Sequence, residues 1–225
     1  IAIKKSVDLQ AAQDMAARVL KLGWGVLTPD SPEFPVLLRD LPDGPVLLFR
    51  LGEPMPPDAR LVAIVGTRHP SEKGKRFSKS LAAELAQSGV TVVSGMAEGI
   101  DSAAHAGAIE AGGKTIAIWG TSLDIVYPSG NRALAQKIQA SGAICSEYLP
   151  GTGPERAYFP ERNRIISGMC DAVIVVEAGL KSGALITADA AMNQGRDLFA
   201  VPGAPDAAMS VGTNYLIKKG ARLLT

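Results

Sequence analysis

Short unbroken apolar runs alternate with longer alanine-rich stretches from residue 61 to the end of the chain. The runs have the length of buried strands, and they are LVAIV (61–65), VTVVS (90–94), TIAIW (115–119), AICS (143–146), AVIVV (172–176) and LFAV (198–201). The stretches between them are typical of helices, which we predict over 71–88, 101–111, 130–140, 160–168 and 182–194. Continuous apolar strands that alternate with helices indicate a mostly parallel sheet with right-handed crossovers. The pattern therefore predicts a doubly wound α/β domain over 60–225.

The residues before this domain have a different texture. Residues 7–22 place apolar side chains at helical spacing and end at Gly23, which suits a helix C-terminus. Residues 29–57 are rich in proline and contain one strand-sized apolar run at 46–49. We therefore expect residues 1–59 to form a short N-terminal helical appendage and a proline-rich lead-in that packs on the main domain.

The charge balance excludes some classes of partner. The chain has 23 basic and 22 acidic residues, so its average composition is not that of a polybasic nucleic-acid-binding protein. A charged partner must therefore meet a local cluster. Residues 60–79 supply one, with six basic residues against one acid and a local charge of +5, although a solvated helix face is the commoner explanation for any single lysine there.

The cysteines and the apolar runs indicate where in the cell the protein is expected. The two cysteines, Cys145 and Cys170, lie in apolar segments without C-x-x-C spacing, which is typical of reduced thiols in a cytoplasmic protein. No apolar run approaches the roughly 18 residues of a membrane span. We expect a cytoplasmic location and no membrane partner.

Small residues follow several of the predicted strands. In a doubly wound sheet, ligands bind at the carboxyl ends of the strands, where glycine lets the backbone approach an anion. The candidates are Gly66, Thr67, Arg68 and Ser71 after the first run, Ser94 and Gly95 after the second, and Lys181, Ser182 and Gly183 after the fifth. No dinucleotide fingerprint or P-loop is present. Tight turns alone also explain these glycines, but an arginine at a strand end, here Arg68, suits a phosphate.

A second basic feature is the segment ERAYFPERNRII at 155–166. Its arginines Arg156, Arg162 and Arg164 surround Tyr158 and Phe159, two of only 11 aromatic residues in the chain. Arginines interleaved with aromatic rings suit single-stranded nucleic acid, because guanidinium groups hold phosphates while rings stack on unpaired bases. The alternative is that the rings anchor a loop in the core and nearby glutamates neutralise the arginines.

Catalytic and metal sites find little support. Ser94, Asp101 and His105 could be combined into a triad, but Asp101 and His105 are four residues apart at the start of one predicted helix, where capping and a side-chain pair explain them. Two histidines in the whole chain exclude a multi-histidine metal centre. We therefore predict no catalytic residues, no metal and no cofactor.

Four of these segments occur together in one known family. VAIVGTR (62–68), SGMAEGID (94–101), YFPERNRII (158–166) and KSGALITA (181–188) resemble the DNA-processing protein A family, DprA or Smf, over about residues 30–225. The resemblance implies an extended Rossmann-like domain that binds single-stranded DNA. It also implies loading of the RecA recombinase onto incoming strands in natural transformation, without catalytic turnover, and a homodimer formed through the later part of the domain.

The resemblance also implies a set of DNA-binding residues. The family pairs an arginine after the first strand, here Arg68, with a later segment that here supplies Arg156, Phe159, Arg162, Asn163 and Arg164. Arg156 stands where the family often has lysine. Family members commonly carry a helical domain before this region and a winged-helix-like domain after it, and we expect both to be absent or truncated here.

An enzyme of a related fold is the alternative function. Nucleoside-monophosphate phosphoribohydrolases of Rossmann-like fold carry a P-G-G-x-G-T motif with a downstream glutamate. The nearest counterpart here is EAGLKSG at 177–183, which lacks the P-G-G sequence. A nucleotide-binding enzyme and a scaffold with a vestigial pocket therefore remain alternatives to the single-stranded DNA binder.

Overall fold

A computed structural model describes residues 8–225. The helices are α1 (Leu9–Lys21), α2 (Val36–Arg39), α3 (Glu72–Gln87), α4 (Ile100–Glu110), α5 (Arg132–Ser141), α6 (Tyr158–Gly168), α7 (Gly183–Asn193) and α8 (Val211–Lys218). The strands are β1 (Gly25–Leu27), β2 (Leu48–Gly52), β3 (Leu61–Val65), β4 (Thr91–Ser94), β5 (Thr115–Ile118), β6 (Ala143–Ser146), β7 (Ala172–Val175), β8 (Asp197–Ala200) and β9 (Arg222–Leu223).

All of these strands form one sheet in the order β1-β2-β6-β5-β4-β3-β7-β8-β9. Strands β3 to β9 are parallel, whereas β2 pairs antiparallel with β6, and β1 pairs antiparallel with β2. The chain builds outward from β3 to β6 and then crosses back to β7 on the other side of β3. The predicted doubly wound α/β fold is confirmed, and its strand order reverses between β3 and β7, where such folds bind ligands.

Burial explains why the apolar runs are continuous. In β3, Ala63 and Val65 belong to one apolar cluster and Ile64 to another, and all three are at most 4% exposed. Because neighbouring side chains of a strand point to opposite faces, both faces of the sheet are covered by helices. The six predicted strands lie within one residue of β3 to β8, and the five predicted helices lie within two residues of α3 to α7.

The N-terminal part contributes to the same sheet. The predicted first helix is present as α1, and the first residue of that prediction, Val7, lies outside the described residues. The apolar run at 46–49 leads into β2, where Phe49 lies opposite Ser146 of β6. Arg196 also ties this part to α6, since its guanidinium donates to the carbonyls of Leu37 and Gly168 at 2.8 Å each. The sheet thus extends across residue 59, and the division of the chain there stays a prediction.

Four elements have no counterpart in the sequence prediction, namely β1, α2, α8 and β9. None of the helices within residues 8–225 combines the length and apolar composition needed to cross a membrane.

Candidate nucleic-acid interface

A cleft of about 770 Å³ opens at the carboxyl edge of the sheet, beside the reversal between β3 and β7. We call it the main cleft. Of the predicted site residues, those that line it are Gly66, Thr67, Arg68, Arg156, Phe159, Arg162, Asn163, Lys181, Ser182 and Gly183. A second, smaller pocket adjoins the main cleft, and we call it the side pocket. Its lining residues are Arg68, Gly95, Ala97, Glu98, Tyr127, Pro128, Phe159 and Arg162. The fold thus brings together segments that are up to 117 residues apart in the sequence.

Three exposed cations surround the main cleft. Arg68 follows β3, Arg156 precedes α6, and Lys181 precedes α7. None of the three forms an ion pair with any residue in 8–225. An exposed cation without a protein partner is free to meet an anion, so these three side chains give the cleft its capacity to hold phosphates.

Phe159 forms the aromatic part of the cleft together with a residue that the sequence prediction missed. The ring of Phe159 is half-buried, and the guanidinium of Arg68 lies 5.7 Å from its centroid. The ring of Tyr127 lies 5.3 Å from that of Phe159 with an interplanar angle of 34°. Tyr127 is in the connection between β5 and α5, far in sequence from both basic segments, and only its aromatic side chain could have drawn attention to it.

The sequence predicts Ser71 as a site residue, but it does not line the main cleft. Its side chain caps α3 by accepting a hydrogen bond from the backbone N–H of Gly74 at 2.9 Å. The carboxylate of Glu177 accepts from the Ser71 backbone N–H at 2.8 Å and from the Ser71 hydroxyl at 2.5 Å. A Cβ on Gly74 would overlap this carboxyl group, so a larger residue there would displace the Glu177 side chain. The N-terminus of α3 therefore already holds an anion, the side chain of Glu177.

Ser94 and Gly95 act within the protein. Ser94 is fully buried, and its hydroxyl donates to the carbonyl of Ile64 at 2.6 Å. The Gly95 backbone N–H donates to the Asp101 carboxylate at 3.1 Å. A Cβ at Gly95 would lie 2.8 Å from that carboxylate and from the guanidinium of Arg162. Gly95 reaches the side pocket only with its backbone.

Arg162 lines the main cleft, but it is also buried and forms hydrogen bonds within the protein. It is 5% exposed, and its Nη1 donates to the carbonyls of Gly95, at 2.8 Å, and Ile118. Burial raises the pKa of Asp101, and the positive charge of Arg162 opposes this rise. Burial also lowers the pKa of Arg162 to about 10, so the guanidinium stays charged at neutral pH. Arg162 thus fixes the loop after β4 against the end of β5.

Arg164 and Asn163 also bond within the protein. Both terminal nitrogens of Arg164 donate to the Glu147 carboxylate, at 2.8 and 2.9 Å, and its Nε lies 4.0 Å from Asp43. Arg164 therefore does not line the cleft, because an acidic partner holds it elsewhere. Asn163 donates to the carbonyl of Gly183 at 3.3 Å and so ties α6 to the start of α7.

His105 does not pair with Asp101, which corrects that expectation. The Thr115 hydroxyl donates to the carbonyl of Val92 at 2.7 Å, so its oxygen accepts from Nδ1 of His105, also at 2.7 Å. Burial, with the charge of Arg162 as a smaller cause, lowers the pKa of His105 to about 3. The imidazole is therefore a neutral part of the core beneath the site.

Comparison with known proteins identifies the family. Residues 25–225 match the family model described as DNA recombination-mediator protein A. Protein Smf of Synechocystis is 46% identical over 202 residues, which are 88% of this chain and 51% of that protein. DNA processing protein DprA of Streptococcus pneumoniae is 44% identical over 85% of this chain and 68% of that protein. The chain thus spans about half to two thirds of these two relatives.

Solved structures agree with the sequence comparison. The X-ray structure of DNA processing protein A from S. pneumoniae superposes with a TM-score of 0.84 at 42% identity, covering 90% of this chain and 71% of that one. DNA processing protein A from Helicobacter pylori, whose structure was described for its single-stranded DNA binding mode, gives 0.79 at 33% identity, covering 89% and 90%. A molybdenum cofactor binding protein of Rippkaea orientalis, at 0.53 and 16%, shares the fold alone. The chain belongs to the DNA recombination-mediator protein A family.

Proposed function

We propose that the main cleft binds a short stretch of single-stranded DNA as part of a DNA-processing, recombination-mediating role. The observation that carries the proposal is the set of exposed, unpaired cations Arg68, Arg156 and Lys181 around the rings of Phe159 and Tyr127. Guanidinium and ammonium groups hold phosphates, and rings stack on bases only where those bases are unpaired. The structure described for H. pylori DNA processing protein A concerns binding of the same ligand class.

The N-termini of α3 and α7 lie close to the main cleft, and they differ in whether they are free to bind a phosphate. The N-terminus of α3 is filled by Glu177, whereas Lys181, Ser182 and Gly183 at the start of α7 line the main cleft. We therefore assign the phosphates to Arg68, Arg156 and the start of α7, and not to Ser71.

The proposal extends to partners. We also propose that the protein transfers the bound strand to the RecA recombinase and self-associates as a homodimer; the family's description as a DNA recombination mediator supports a role in recombination. No catalytic step is part of this role. Mixing the protein, RecA and single-stranded DNA coated with a competing binding protein tests the transfer, which we expect to accelerate RecA filament formation.

The geometry argues against the nucleoside-monophosphate hydrolase. In a doubly wound fold, a nucleotide phosphate uses the helix N-terminus at the point of strand reversal. Two helices begin at this reversal: at α3 the Glu177 carboxylate bonded to Ser71 would repel a phosphate, and the segment EAGLKSG at 177–183, which leads into α7, lacks the P-G-G sequence of those enzymes. Release of a nucleobase from a nucleoside monophosphate by the purified protein would restore the enzyme as the function.

Binding of a fluorescently labelled oligothymidylate, measured by anisotropy, tests the DNA site. Arg68→Ala is expected to weaken binding about tenfold or more, because a charge-assisted hydrogen bond is lost. Arg76→Ala is the matched control, since Arg76 is also exposed but lies on α3 outside the cleft. Equal affinity of the wild type, Arg68→Ala and Arg76→Ala would refute the site, and absence of binding by the wild type would refute the function.

A further inference from the structure

The two parts of the cleft have different chemistry. The main cleft contains the exposed cations Arg156 and Lys181, which do not line the side pocket. The side pocket instead contains Pro128 and the exposed carboxylate of Glu98, neither of which lines the main cleft. Arg68 and Arg162 line both parts, so the difference is that the main cleft adds two cations and the side pocket adds one carboxylate, and a phosphate is attracted more strongly to the main cleft. The sugar-phosphate chain therefore fits the main cleft, and the side pocket suits an uncharged group.

Tyr127 lies where the two parts meet. Arg68, Ala97, Phe159 and Arg162 are shared by both linings, and so is Tyr127. A base attached to a chain in the main cleft reaches the side pocket past this ring. We propose that Tyr127 is the ring on which an unpaired base stacks, with Phe159 as its support; this rests on the proposed binding of single-stranded DNA.

The surroundings of the two rings set these roles. Phe159 is half-buried between Gly120, Tyr127 and Arg68; a Cβ on Gly120 would lie 2.9 Å from Cδ1 of Phe159. Tyr127 is 40% exposed, so part of its ring remains open. A base gains more from the ring that still has an open surface, while the packed ring holds the open one in place.

The loop that carries Tyr127 is held on both sides. Before it, the hydroxyl of Thr121 donates to the carbonyl of Ile125 at 2.8 Å. After it, the amide of Asn131 donates at 2.9 Å to the carbonyl of Met96 and to the hydroxyl of Ser102. These bonds tie the loop to the start of α4 and to the loop after β4. Little ordering of the protein is then required when a base binds, which favours affinity.

The test compares two strands of equal charge, oligothymidylate and an abasic strand of the same length with tetrahydrofuran in place of the nucleosides. Tyr127→Ala is expected to weaken binding of oligothymidylate about 5- to 100-fold, because one base stack is lost. The same variant is expected to bind the abasic strand as the wild type does. Tyr127→Phe keeps the ring and is expected to bind both strands as the wild type does, whereas Tyr127→Leu, apolar but not aromatic, follows Tyr127→Ala.

Thermal unfolding of each variant checks that it is folded. If the alanine variant is unstable, the comparison of Tyr127→Leu with Tyr127→Phe replaces it. Equal loss of affinity for both strands would overturn the proposal, since it would place the effect in the backbone contacts or the fold. Unchanged affinity of Tyr127→Leu for oligothymidylate would also overturn it, while leaving the DNA site intact. Failure of the wild type to bind oligothymidylate would overturn both the proposed function and this inference.

Discussion

The two ends of one short segment, 156–164, use the same side chain for different purposes. At its start, Arg156 is exposed and unpaired beside the main cleft, next to Phe159. At its end, Arg162 is buried against backbone carbonyls, and Arg164 is paired with Glu147. Six to eight residues thus separate a ligand-facing arginine from structural ones. What decides the role is whether the fold brings a carbonyl or carboxylate to the guanidinium, not how close the residue is to the site in sequence.

The largest expected effect comes from Arg162. Arg162→Met leaves the buried Asp101 without its cation and the carbonyls of Gly95 and Ile118 without a donor. Each buried carbonyl that loses its donor costs about 1–3 kcal/mol, and the loss is measured as the free energy of unfolding in urea. The double variant Asp101→Asn, Arg162→Met should recover part of the loss. Wild-type stability of Arg162→Met would contradict a structural role.

The buried layer beneath the site also predicts a pH dependence. His105 has a pKa of about 3 in the folded protein, against an ordinary value near 6.5 in the unfolded chain. Between these values the unfolded chain binds more protons, so the free energy of unfolding falls as the pH is lowered, by up to about 1.4 kcal/mol per pH unit. Burial raises the pKa of Asp101, which has the opposite effect on stability, since the folded protein then binds the extra proton.

Urea unfolding at pH 7, 6 and 5 checks the His105 prediction. His105→Gln removes the titrating group, and its stability should vary less with pH than that of the wild type. The same slope in both proteins would show that other groups control the acid sensitivity.

Arg156 and Arg164 should give opposite results. Arg156→Ala is expected to weaken binding of single-stranded DNA about tenfold without changing the free energy of unfolding, because only a ligand contact is lost. Arg164→Ala is expected to lower the free energy of unfolding by about 1–2 kcal/mol, through loss of its two hydrogen bonds to Glu147, with DNA affinity unchanged. Anisotropy and urea unfolding on both variants provide the comparison. Equal effects of the two substitutions on affinity would remove the distinction between the two ends of the segment.

The sequence predicts the parallel core well because β3 to β7 are buried on both faces and therefore read as continuous apolar runs. Strand β8 is buried on one face only, with Asp197 exposed and Phe199 half-buried on the other, but its residues 198–200 are all apolar. Strand β1 and strand β9 have only three and two residues, and α2 has four, so pairing and packing define them and no periodic pattern does. They could not be predicted from local sequence alone.

Some residues of the candidate site could be predicted from the sequence, and others depend on tertiary contacts. Arg68 and Lys181 follow strands, and topology alone places them at the ligand-binding edge. The partners that remove Ser71 and Arg164 from the cleft, Glu177 and Glu147, are 106 and 17 residues away from them in sequence, so only the tertiary structure shows these contacts. The position of Tyr127 depends likewise on how the connection from β5 to α5 folds.

The salt dependence of single-stranded DNA affinity tests the central claim most directly. The slope of log affinity against log salt is about −0.7 for each phosphate contacted, and it does not depend on stacking. We predict that Arg68→Ala and Arg156→Ala each make this slope less negative by about 0.7, and that Arg76→Ala and Arg164→Ala leave it unchanged. A slope that is the same in the wild type, Arg68→Ala and Arg156→Ala would show that the phosphates lie elsewhere and would contradict the account.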